Sequence, residues 1–70
     1  PLPTIEVVSS KQSGDNWCIT LKTNDAENYI NLEFPNGYVK EYQGTLETST
    51  ICIPYRKIGD SGTVKIKAYD

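Results

Sequence analysis

Tyr29-Ile30-Asn31-Leu32-Glu33-Phe34-Pro35-Asn36-Gly37-Tyr38-Val39-Lys40-Glu41-Tyr42 is the stretch on which the architecture turns. In its first arm Ile30, Leu32 and Phe34 alternate with polar neighbours, the period-two pattern of a strand with one dry face. Asn36-Gly37 then predicts a two-residue type I′ turn, whose central positions both need φ > 0; Asn tolerates this and Gly adopts it freely. Such a turn sets Phe34 opposite Val39, Glu33 opposite Lys40 and Asn31 opposite Tyr42. The register pairs apolar with apolar and acid with base, so it is self-consistent. It also turns Glu41 inward beside Leu32. An inward charge is one way an edge strand resists pairing, so residues 38–42 are predicted to form an edge.

Outward from this hairpin the period stays at two, and no helix is predicted. Residues 4–8 alternate, with Ile5 and Val7 on one face. Residues 9–16 read as a polar break around Ser13-Gly14-Asp15-Asn16. In 17–22, Trp17, Ile19 and Leu21 point one way, and Cys18, Thr20 and Lys22 the other. After a second polar break over 23–28 and the hairpin, 48–53 places Ile51 and Ile53 inside and Cys52 outside, and Pro54 closes that strand. Residues 58–62 read as a turn. The last strand, 63–69, carries Val64, Ile66 and Ala68 inward and Lys65 and Lys67 outward. About six short strands separated by turn signals predict an all-β fold, a small antiparallel two-sheet sandwich. Residues 1–3 (Pro-Leu-Pro) read as an extended linker stub, and 4–70 as one domain.

Composition narrows the function. The chain has seventy residues, no histidine, no methionine and two cysteines, with seven basic against nine acidic side chains. A chain this short buries only about 60% of its unfolded surface, which leaves room for one core. Without histidine there is no Ser-His-Asp triad, Cys-His pair or histidine-ligated zinc. Two cysteines do not supply an all-cysteine zinc cage or an iron–sulfur cluster. A net charge of −2 argues against a phosphate-backbone binder, so nucleic acid is not expected as a partner. No run of eighteen apolar residues is present, and membrane insertion is not expected. No cofactor or metal is expected either: the oxygens clustered in Asn24-Asp25-Ala26-Glu27-Asn28 lack the calcium-loop spacing, and a polar loop is the simpler reading. A glycosidase pairing of Glu33 with Glu41 fails on the register above, which puts them on opposite faces.

Cys18 and Cys52 both fall on the outer faces of their strands. If those strands pair antiparallel with the two residues opposite, Thr20 faces Thr50 and Lys22 faces Thr48, and a cross-strand disulfide is sterically possible. A closed loop of about 34 residues is worth roughly 3.8 kcal/mol on the chain-entropy argument, a large share of what so small a core supplies. The alternative is two free thiols in a reducing compartment. The bridged reading implies a secreted or cell-surface protein.

The segment Thr50-Ile51-Cys52-Ile53, a polar turn, then Asp60-Ser61-Gly62-Thr63-Val64-Lys65-Ile66 resembles the E-to-F region of immunoglobulin-like domains. Asp60 and Gly62 match the family's Asp-x-Gly-x-Tyr-x-Cys pattern. Val64 stands in the tyrosine position and Ile66 in the cysteine position, a departure closer to bacterial immunoglobulin-like modules. There the penultimate strand often reads as residues 62–70 do, and similar hairpins carry a Pro-Asn-Gly tip. The resemblance covers about two-thirds of the chain and ends at the equivalent of strand F. A second resemblance is to small secreted fungal effectors with two sheets, six strands and one disulfide; their first cysteine usually lies in the first strand, whereas here 5–8 precedes Cys18.

The immunoglobulin-like alignment implies that strands 29–34, 38–42 and 63–69 share a sheet. Its solvent face then carries Tyr29, Asn31, Glu33, Tyr38, Lys40, Tyr42, Lys65, Lys67 and Tyr69. Tyr29, Tyr38, Lys40, Tyr42, Lys65, Lys67 and Tyr69 are the candidate binding residues: aromatics among charges stack on sugars or anchor a protein. The plainer reading is an ordinary solvated strand face. Trp17 is assigned to the core. Arg56, Lys57, Lys65 and Lys67 form a small basic group suited to an anionic partner. The expectation is a non-catalytic extracellular module, monomeric or part of a longer multi-domain chain, acting as a spacer, adhesion or protein-binding domain. The alternatives are a polysaccharide-binding module and a small effector that binds a host protein.

Overall fold

A computed structural model describes all seventy residues. Six strands form two three-stranded antiparallel sheets. The first, in the order β1-β2-β5, is built from Ile5–Ser13, Asn16–Thr23 and Ser49–Pro54. The second, in the order β4-β3-β6, is built from Val39–Gln43, Tyr29–Glu33 and Lys65–Tyr69. A single helical turn, α1 (Tyr55–Ile58), links β5 toward β6. No helix is long and apolar enough to cross a membrane.

The central strand of each sheet supplies the core. Ile19 and Leu21 from β2 meet Ile30 and Leu32 from β3, all four with 1% exposure or less, and Phe34, Ile53 and Ile58 complete the cluster. Central strands contribute most because they have a neighbour on both sides. Burying a side chain of this size is worth roughly 1.5–3 kcal/mol. Trp17 packs half-buried against this cluster, its ring edge-on to Phe34 at 5.6 Å and 89°.

Three local readings are corrected. The first strand does not stop at residue 8; β1 continues to Ser13 and turns through Gly14 and Asp15, with Ser13 across from Asn16. Its polar second half needs no alternation, because this edge strand is exposed from Glu6 onward, and a bulge at Val8 shifts its phase. Gly14 at φ 58 is the only positive φ in that turn, which fits a type II′ geometry. The absence of helix also fails, by one turn. Pro54, at φ −62, precedes α1, and Gly59, at φ 76, ends it with its N–H donating to the Tyr55 carbonyl at 2.8 Å. A single turn is too short to show a helical period, but it buries Ile58.

The third correction concerns the hairpin. The Gly37 N–H donates to the Phe34 carbonyl and the Phe34 N–H to the Tyr38 carbonyl, both at 2.9 Å. No residue other than glycine has a positive φ, so Asn36 does not occupy a type I′ turn. Pro35 presets the first central position of a type I turn, Asn36 takes the second, and Gly37, at φ 92, absorbs the bulge that follows. The loop therefore has three residues, and the register is Glu33–Val39, Asn31–Glu41 and Ile30–Tyr42. That one-residue slip reverses every side chain of β4. Tyr38 and Tyr42 turn inward and pack half-buried against the core, while Glu41 turns out. Lys40 shares the side of Leu32, but at the open edge, where it stays exposed. The inward charge of this edge strand is thus Lys40 rather than Glu41.

Cys18 and Cys52 are directly opposite in the β2–β5 pair and are joined as a disulfide, with Cα atoms 4.1 Å apart. Thr20 faces Thr50, and their hydroxyls are 2.9 Å apart. At the other end of the molecule a polar clasp holds three loops. Thr23 exchanges backbone and side-chain bonds with Thr45, the Gly44 N–H reaches the Asn28 carbonyl at 2.6 Å, and Asn28 Nδ2 donates to Asn24 Oδ1 at 2.8 Å. Asn24 also accepts from the Thr4 N–H and donates to the Leu2 carbonyl, both at 3.0 Å, which ties the Pro-Leu-Pro segment to this end. Thr23 and Asn28 are buried, and every buried side-chain polar atom is satisfied.

Candidate functional site

The outer face of the second sheet is a grid of three rows fixed by the register. Gln43, Tyr29 and Tyr69 form the first row, Glu41, Asn31 and Lys67 the second, and Val39, Glu33 and Lys65 the third. The two tyrosines lie side by side, centroids 5.7 Å apart and tilted by 33°. Lys67 Nζ lies 5.8 Å from the centre of the Tyr69 ring, close enough for a cation–π contact, and the Tyr69 hydroxyl donates to Glu41 Oε2. All members are exposed except Asn31 and Tyr69, which are half-buried. Two carboxylates and two ammonium groups leave the face neutral, with both positive charges on β6, one of its two edge strands.

Of the seven candidate residues, the fold brings Tyr29, Lys65, Lys67 and Tyr69 together on this face. Tyr38, Lys40 and Tyr42 are not on it, for the reason given by the three-residue loop. Glu41, Gln43 and Val39 replace them. Burial, together with the neighbouring Tyr38 phenol, raises the Tyr42 phenol above its ordinary value. Glu33 and Glu41 do share a face, as diagonal neighbours, so the register no longer separates them. Glu41 is engaged by Tyr69, and Glu33 stands between Val39 and Lys65.

The predicted basic group is divided. Arg56 lines a hollow with Gln12, Asp15 and Asn16 beside the turn of the first sheet, whereas Lys65 and Lys67 belong to the grid. In the loop considered for calcium, Asp25 Oδ1 accepts the Glu27 N–H at 2.9 Å, and no group of three or more acidic or cysteine side chains converges anywhere.

A second feature was not legible in the alternation of strands. Trp17, Phe34, Pro35, Tyr55, Ile58 and Val64, with Asp60 and Ser61, line a hollow of about 140 Å³ at the hairpin-tip end. It forms where α1 and the loop after it meet the hairpin, held there by Asn36 Nδ2 donating to the Lys57 carbonyl at 2.9 Å. The hollow is the open end of the core.

Comparison with protein-family models, with curated proteins and with solved structures finds no match to this chain.

Proposed function

We propose that this chain is a non-catalytic, immunoglobulin-like binding module of an extracellular protein, working through the outer face of the second sheet. The observation that carries the reading is the grid itself. A tyrosine pair, two carboxylates and two ammonium groups share a three-stranded surface whose inner side is anchored by Ile30 and Leu32. Surfaces of this composition anchor protein partners, because tyrosine gives contact area at small entropic cost and the charges set register.

The strand orders support the immunoglobulin-like part of the reading. β1-β2-β5 and β4-β3-β6 correspond to strands A-B-E and C′-C-F of such a sandwich. The disulfide departs from that pattern, since it joins two neighbours of one sheet rather than bridging the sheets. It supports an oxidising compartment. A small effector remains the reading to choose if the precursor proves to be a signal peptide followed directly by Pro1.

A carbohydrate-binding role is the second reading, favoured by the Tyr29–Tyr69 pair alone now that Tyr38 and Tyr42 are turned inward. Affinity electrophoresis against a panel of soluble polysaccharides separates the two. The protein-binding reading expects no retardation; retardation that Tyr29→Ala with Tyr69→Ala abolishes would overturn it in favour of sugar binding.

A further inference from the structure

We propose that the free edge of β6 receives an extended acidic segment of another protein, which adds to the second sheet as a fourth strand. The inference rests on the binding-module reading and names the place and chemistry of the partner.

The edges of the two sheets are not equally open. β1 is interrupted by its bulge between Val7 and Ser9, β5 ends in Pro54, and β4 carries Lys40 on the side of Leu32. Each of these is a recognised obstacle to strand addition. β6 is paired only with β3, over five regular residues from Tyr69 to Lys65 opposite Tyr29 to Glu33. It contains no proline, no bulge and no inward charge. Alternate backbone N–H and C=O groups along it therefore face outward unpaired.

The side chains define what fits. On the inner side, Ile66 and Ala68 remain half-buried, beside Leu32 and Ile30, which are sealed at 0% and 1% exposure. Apolar residues at alternate positions of an added strand would extend the dry layer over them. On the outer side the edge presents Lys65, Lys67 and Tyr69. Lys67 has Asn31, not an acid, as its cross-strand neighbour, and Glu41, the carboxylate of that row, is taken by Tyr69. Lys65 already faces Glu33 across β3, so Lys67 is the cation without a paired acid, and a carboxylate opposite it on an added strand would complete its row. A second copy of this chain is a poor occupant, since antiparallel β6–β6 pairing centred on Lys67 sets lysine against lysine. The match is thus to an alternating acidic–apolar strand from a different protein, bound by main-chain hydrogen bonds with charge fixing its register.

The test uses the ¹⁵N-labelled, disulfide-intact protein and two blocked nine-residue peptides, one alternating Glu with Val and one alternating Lys with Val. With the Glu–Val peptide, amide exchange at alternate β6 residues should slow at least tenfold, with β1 and β5 unchanged. The Lys65→Glu, Lys67→Glu double variant, altered only at exposed positions, should lose that protection and gain it with the Lys–Val peptide. Unchanged exchange in β6, equal protection by both peptides, protection on β4 instead, or the same effect from a heparin oligosaccharide would each overturn the proposal. Such a failure, alongside a partner whose binding needs Tyr29 and Tyr69, would remove the edge site and leave the face. Retained β6 protection in a Tyr29→Ala, Tyr69→Ala protein that binds no partner through the face would do the reverse.

Discussion

Tyr42 lies directly across from Ile30 on the inner side of the second sheet, where Asn31 would be its partner if the hairpin turned on two residues. This one pairing decides which tyrosines meet solvent. It takes Tyr38 and Tyr42 into the packing around the core and leaves Tyr29 and Tyr69 as the aromatic pair of the outer face. The choice is made by Pro35, whose fixed φ suits the first central position of a type I turn.

The loop can be tested by substitution. Asn36→Gly would be neutral or stabilising in a type I′ turn, where φ > 0 favours glycine. Here it removes the bond from Nδ2 to the Lys57 carbonyl and the one from the Tyr38 N–H to Oδ1, at 2.9 and 3.0 Å. We expect a loss of about 1 kcal/mol, measured as a lower urea midpoint at unchanged slope.

Gly44 sits within the polar clasp, and a Cβ there would meet the Asn28 and Asp25 carbonyls and Thr23 Oγ1 at 2.7 to 2.8 Å. Two of these are backbone atoms with little freedom to retreat. Gly44→Ala should therefore destabilise the fold by about 1–3 kcal/mol, with chemical-shift changes concentrated in residues 23–28 and 44–45.

Replacing Cys18 and Cys52 together by serine opens a 34-residue separation. Freeing the unfolded chain from this cross-link should cost about 3–4 kcal/mol of stability. For a seventy-residue domain that leaves a fold at the margin, so the doubly substituted protein should melt far below the oxidised one, or be unfolded at 37 °C, by circular dichroism.

The raised Tyr42 phenol predicts an alkaline loss of stability. With the folded pKa above the unfolded value near 10, the unfolded chain gives up its proton first. Stability is thus intact below about pH 10 and falls as pH rises through the folded value. Urea midpoints between pH 9 and 12 should show this decline, and Tyr42→Phe should lessen it; an unchanged decline in that variant would contradict the assignment.

Much of the architecture was legible in the residues. The alternation in 17–22 and 29–34 placed Ile19, Leu21, Ile30 and Leu32 in the core, and matching Cys18 with Cys52 brought Thr20 opposite Thr50. Both inferences rest on the pleat, which is local and strictly periodic. What was not legible depended on loop geometry or on the absence of a core neighbour. Ser9 to Ser13 carry no apolar stripe because nothing covers them, so their strand has no pattern to read. Asn36-Gly37 serves two turn types, and the deciding residue was Pro35, just before the pair. The candidate site inherited that error, since Glu41 and Gln43 reach the outer face only when β4 is shifted by one.

The claim on which the functional reading rests is the register of this hairpin, and nuclear Overhauser contacts of the Tyr42 ring test it most directly. With this register, contacts are expected from that ring to the Ile30 methyls and between the Tyr38 and Phe34 rings, whose centroids are 6.0 Å apart. A Tyr42 ring in contact with Asn31 and silent toward Ile30 would contradict it.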